Sequence, residues 1–192
     1  DALSMEDHTD HTFVPSQKVE DGAVFGCDSW HLESVLTPGH IQNHVCYALH
    51  EENALFSGDH VMGWSTTVIN PPLGNMIDYM ESLEKVRVRS EDTYYPTHGP
   101  PINGAQEFVE ELIEHRLERE AQIKVFFEMN GEENSQLRAL APADLVPTLY
   151  AEVPAHLHPM AARSVLAHMQ RLEHLGYLES VDGGRRFIIK VT

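Results

Sequence analysis

The alternation of apolar and polar positions predicts two regimes in this chain. From Ala23 to Ser57 short β-type runs follow one another: Leu32-Glu33-Ser34-Val35-Leu36 ends at Pro38-Gly39, His44 to Leu49 leads to a turn at Glu51-Glu52-Asn53, and Ala54 to Ser57 returns. Val45, Tyr47 and Leu49 point one way while Cys46 and Ala48 point the other, so both faces are apolar and a sheet covered on both sides is expected. Beyond this the period lengthens. Asn75 stands as the cap of a helix with Met76, Tyr79, Met80, Leu83 and Val86 on its core face. A longer helix is expected from about Ala105 to Glu128, with Val109, Ile113, Leu117, Ala121 and Val125 as an i+4 ladder and Glu120 pairing with Lys124 on the exposed side. His115 and Arg119 on this helix read as packed or solvated rather than as cleft residues.

Asn130-Gly131 breaks that helix, and a small appended unit follows. Pro142 to Tyr150 suggests a short helix; a further one starts near Pro159, ends before Gly176, and carries Ala161, Val165, Leu166, Met169 and Leu172 on one face. Tyr177–Val181 and Arg186–Val191 form a hairpin about Asp182-Gly183-Gly184. Helix, helix and β-ribbon make a winged helix, giving domains at 1–129 and 130–192.

Composition narrows the function. The 192 residues can bury a sizeable core, but a net charge of −17 argues against a general nucleic-acid or anionic-membrane surface. From Tyr150 on, five basic residues face four acidic ones, so Arg163, Arg171, Arg185 and Arg186 sit in a nearly neutral unit better read as a packing module than as a phosphate binder. Cys27 and Cys46 lack CxxC spacing, and Cys46 reads as a small buried thiol. No apolar run is long enough to span a membrane and no signal-peptide pattern appears, so a cytoplasmic protein acting on a small molecule is expected.

The chemistry-bearing residues fall where strands end. His40 lies just past the first run, in Thr37-Pro38-Gly39-His40-Ile41-Gln42-Asn43-His44. Asp59 ends the returning run in Phe56-Ser57-Gly58-Asp59-His60, and His98 follows another in Tyr94-Tyr95-Pro96-Thr97-His98-Gly99-Pro100. Neutral imidazoles with one carboxylate suit a divalent transition metal such as zinc. His44, at a strand start, is placed to support a ligand from behind, whereas His60 is expected to point away.

In order and spacing these motifs resemble the last three metal motifs of the metallo-β-lactamase-fold hydrolases, most of all the glyoxalase II and beta-lactamase-like protein 2 branch. The similarity continues through Gly63-Trp64-Ser65-Thr66-Thr67, Asn70-Pro71-Pro72 and His115 to Glu120, and on into the tail. The resemblance implies the C-terminal half of an αββα sandwich, an α/β (α+β) fold, followed by the winged helix. It implies two zinc ions per intact site and a metal-held hydroxide as nucleophile, with His40 on one ion, His98 on the other and Asp59 bridging both. The family acts on esters, thioesters, phosphodiesters and lactams.

The family's first motif, His-x-His-x-Asp-His, has a partial counterpart in Glu6-Asp7-His8-Thr9-Asp10-His11, where Glu6 stands at the first ligand position. His8, Asp10 and His11 are therefore lesser candidate ligands. The segment before them is short and polar, and His11 to His40 leaves no room for the helix and strands that normally intervene, so the cluster reads as a coincidental loop. The chain is then expected to be a fragment with an incomplete site and little activity alone, its open sheet covered by a two-fold dimer. A non-catalytic binding protein working through its winged helix is the alternative.

Overall fold

The computed structural model describes residue 12 and residues 14–133 and 136–190. Six strands form one sheet in chain order: β1 (Val24–Cys27), β2 (Trp30–Leu36), β3 (Val45–Leu49), β4 (Ala54–Gly58), β5 (Thr93–Pro96) and β6 (Ile102–Asn103). The first four are antiparallel neighbours, whereas β5 runs parallel to β4. A parallel neighbour needs a crossover, and helix α1 (Met76–Arg87) supplies it. One consequence decides the site: the ends of β2, β4 and β5 and the start of β3 all lie at the same rim.

Asn75 caps α1 as expected, its side chain accepting the N–H groups of Ile77 and Asp78. α1 and the long α2 (Ala105–Asn130) cover one face of the sheet. Val35, Cys46, Leu55 and Tyr94 from the strands pack there with Tyr79, Leu83 and Val109 from the helices.

The i+4 ladder expected on α2 does not hold. Val109 and Ile113 are buried, but Leu117 is 46% exposed and Val125 51% exposed. Four residues advance a helix by more than one turn, so such a ladder drifts around the cylinder. The buried stripe runs instead through Val109, Leu112, Arg116, Glu120, Ile123 and Phe127. Glu120 is accordingly buried rather than exposed beside Lys124. His168 lies 3.2 Å from its carboxylate and Arg171 donates to it at 2.5 Å. Lys124 lies over the ring of Tyr177 instead.

The C-terminal unit is a winged helix: α3 (Pro142–Leu149), α4 (His158–His174) and the hairpin β7 (Leu178–Val181) and β8 (Arg186–Ile189). The hairpin turns through Asp182, Gly183 and Gly184, all at positive φ. Its core gathers Leu145, Val165, Met169 and Phe187 around Ile123 and Phe127 of α2, so one helix serves both cores. Of the four candidate arginines, Arg171 is bound to Glu120 and Arg186 to Asp182.

The second face of the sheet is open among the described residues. Register places Leu32 opposite Leu49, Tyr47 opposite Phe56, and Phe56 opposite Tyr95 on that face. No element covers it among the described residues, leaving Trp30 at 46%, Phe56 at 44% and Tyr95 at 43% exposure. The apolar pattern on both faces is real, but among the described residues only one face is packed.

Elsewhere the sheet is fastened to the α1–β5 connection by Arg89, which donates to both oxygens of Glu33 at 3.0 Å and also holds Glu91. The Arg89 hydrogen bonds pull the Glu33 carboxyl down to about 2, against partial burial that works the other way and with His50 adding to the pull. A depressed carboxyl stabilises the fold above its unfolded value, near 4.5, and that stability is lost as pH falls towards 2. In thermal melts across pH, Glu33→Gln is expected to cost about 1 kcal/mol at neutral pH, allowing for solvent screening of a partly exposed pair. The variant should also lose stability less steeply than the parent between pH 4.5 and 2. Parallel pH profiles would show that the pair adds nothing.

Candidate metal centre

Two turns and two strand ends assemble the rim. The His40 loop leaves β2 and is tied to α1 at three points: the Asn75 N–H donates to the Gly39 carbonyl, the Ser82 hydroxyl to Pro38 and the Lys85 ammonium to Leu36. Gly39 lies against α1 with no room for a side chain, since a Cβ there would come 2.3 Å from Cα of Tyr79. The β4 end is held by the Thr67 hydroxyl, which donates to the Asp59 carbonyl at 2.7 Å. The His98 turn is joined to Gly63 by a backbone hydrogen bond from the Gly63 N–H to the His98 carbonyl.

His40, Asp59 and His98 meet at this rim. Nε2 of His40 lies 3.8 Å from one oxygen of Asp59, and Nε2 of His98 lies 3.5 Å from the other. Both separations are long for a hydrogen bond, and Oδ1 of Asp59 is buried with no hydrogen-bond partner among the described residues. They fit another relation. Two ligands at about 2.0–2.2 Å from one tetrahedral zinc stand about 3.4 Å apart. His40, Asp59 and His98 are therefore the residues present here that could hold divalent metal, as two imidazole donors and one carboxylate. Among the described residues no three His, Cys, Asp or Glu side chains close on a single point; the donors come as two pairs through Asp59.

Each imidazole is oriented differently. His40 uses Nδ1 to donate to the Val68 carbonyl at 2.8 Å, which fixes the tautomer and leaves Nε2 as the lone-pair donor. His98 has no such hydrogen bond among the described residues. Its ring lies parallel to the indole of Trp64, with centroids 6.2 Å apart and 8° between the planes. Val68 was not singled out from sequence, and Trp64 only as part of a matching segment, because both come from a loop whose path only the fold defines.

His44 lies behind the Asp59 backbone. Its Nε2 accepts the Asp59 N–H at 3.2 Å and its Nδ1 is 2.8 Å from Oγ1 of Thr37. Burial first, and then the neighbouring His40, lower its pKa against the opposing pull of Asp59 and so favour the neutral ring. His60 points away from the rim. It is fully buried edge-on against Tyr79, and burial pulls it down to about 3. His8, Asp10 and His11 lie outside the described residues.

Comparison with known proteins settles the lineage. The profile of the metallo-beta-lactamase superfamily matches residues 4–98, and that of the beta-lactamase associated winged helix domain matches residues 141–185. The chain belongs to the metallo-beta-lactamase superfamily. It is 35% identical over 163 residues to a beta-lactamase-like protein 2 homolog of Caenorhabditis elegans, covering 84% of this chain and 51% of that protein. It is 30% identical over 175 residues to an atrochrysone carboxyl ACP thioesterase of Aspergillus fumigatus, covering 87% of this chain and 54% of that protein. A beta-lactamase domain protein from Burkholderia ambifaria has the same fold at TM-score 0.76 and 23% identity, over 93% of this chain and 54% of that one. This chain thus spans about half the length of each of these proteins. The matched superfamily segment begins at residue 4 and so takes in the Glu6–His11 cluster.

Proposed function

We propose that this chain carries the Asp59-centred part of a dinuclear zinc site in a hydrolase that cleaves a thioester or a related ester. The observation that carries the reading is the carboxylate of Asp59, each oxygen facing a different imidazole at 3.5–3.8 Å, with Oδ1 buried and given no hydrogen bond among the described residues. A divalent ion in such a place lowers the pKa of water and supplies a nucleophile at neutral pH. His40 and His98 would each hold one ion, and Asp59 would be the carboxylate that serves both. The thioester preference is supported by the thioesterase relative, and the chain's net charge of −17 disfavours long polyanionic substrates.

Two protein donors per ion fall short of the three or four that zinc takes. We therefore read the site as incomplete in the described residues, with weak turnover by this chain alone. Zinc uptake measured by elemental analysis after dialysis, paired with thiol release from a short acyl thioester, tests the proposal. Zinc retention with slow release that a chelator abolishes is expected; no zinc uptake, or release unaffected by chelator, overturns it.

The open apolar face extends the proposal to assembly. A two-fold contact lets one such face cover its own copy. Light scattering at micromolar concentration is expected to give a dimer mass, and a clean monomer would contradict it.

A further inference from the structure

A continuous run of hydrogen bonds leads from the Asp59 backbone into the core and back to the same strand. The Asp59 N–H meets Nε2 of His44 at 3.2 Å, and Nδ1 of His44 meets Oγ1 of Thr37 at 2.8 Å. Thr37 Oγ1 meets Sγ of Cys46 at 3.2 Å, and the Cys46 thiol donates to the Ser57 carbonyl at 3.3 Å. Chemistry fixes the direction of every link. A peptide N–H can only donate and a carbonyl can only accept. Nε2 of His44 must then accept, so a neutral ring carries its proton on Nδ1 and donates to Thr37. The Thr37 hydroxyl is left to donate to Cys46. The run starts at Asp59 and closes two residues earlier, and Thr37, Cys46 and Ser57 are fully buried.

Gly58 sits inside this loop. A Cβ there would come 2.7 Å from Nε2 of His44, and the residue has φ +56, so the imidazole packs beneath a bare backbone that turns sharply towards Asp59.

We propose that His44 is a positioning residue for Asp59: locked as the Nδ1–H tautomer by Thr37, it holds the peptide that aims the Asp59 carboxylate between His40 and His98. The preset is present before any ion arrives, so the ordering cost is met by the fold rather than by the metal. The part concerning metal affinity rests on the zinc-site reading above; the part concerning tautomer and backbone does not.

Three measurements test it. In metal-free protein, 15N NMR of the imidazoles should show His44 as the Nδ1–H tautomer. Amide exchange at Asp59 should accelerate in His44→Ala and recover in His44→Gln, whose amide supplies both an acceptor and a donor. Competition with a chromogenic chelator should show zinc affinity falling about 10–100-fold in His44→Ala, with most of it regained in His44→Gln. An Nε2–H tautomer in the parent protein, or His44→Ala with unchanged Asp59 exchange and zinc affinity, overturns the proposal. Parent protein that takes up no zinc yet shows the Nδ1–H tautomer and a protected Asp59 amide sinks the zinc-site reading and supports the positioning role.

Discussion

Asp59→Asn should lower zinc affinity more than any other single change at the rim, by over about 100-fold, beyond the 10–100-fold typical of groups that only support a ligand. Asn is nearly isosteric and keeps the backbone N–H that His44 accepts, so the positioning contact survives. What disappears is the negative charge and one of the two anionic oxygens that face His40 and His98. Each pair then keeps an imidazole facing a neutral amide, and an amide nitrogen does not bind zinc in its place. His40→Ala or His98→Ala removes one ligand from one pair only, so each should cost less than Asp59→Asn. Calorimetric zinc titrations of the three variants measure the order directly. Equal losses for all three would mean that the carboxylate is not shared.

Gly39→Ala is expected to be the most destabilising of the single-methyl changes, by about 3–5 kcal/mol, combining strain at positive φ with overpacking against backbone. Gly39 has φ +136. An added Cβ would lie 2.3–2.5 Å from the Tyr79 backbone and Cβ, so no side-chain rotation relieves it and α1 itself must shift. The same helix carries Asn75, Ser82 and Lys85, the three groups that tie down the His40 loop, so the site should loosen with the fold. Gly22→Ala serves as the control. It has φ +74 but nothing within 4 Å of a new Cβ, so it should show the strain alone, about 1–3 kcal/mol. Urea unfolding of both variants separates the contributions, and a Gly39→Ala cost no larger than that of Gly22→Ala would refute the clash.

Much of this was legible in the sequence because it rests on local signals. Pro38-Gly39 after a β-type run, the turn at Asn53 and the return to Asp59 place two candidate ligands at one rim by antiparallel geometry, and β4 paired parallel to β5 brings His98 to the same side. The Asn75 cap and the Asp182-Gly183-Gly184 turn were readable for the same reason. Long-range contacts were not. Glu120 and Arg116 on the buried stripe of α2 look like surface residues of a charged helix; only docking of α4 explains why Glu120 is inside, held by His168 and Arg171. The Thr37–Cys46 link likewise depends on Val35 lying opposite Cys46, and no local signal sets that register. A sheet with apolar residues on both faces was anticipated, but the pattern says only that each face avoids water, not what covers it.

The shared-ion account is tested most directly by a crystal of the zinc-soaked protein with anomalous data at the zinc edge. Peaks between His40 and one oxygen of Asp59, and between His98 and the other, are the expected result. Zinc found only at surface pairs such as His31 with Glu51 or His50 with Glu33, with none against Asp59, would contradict it.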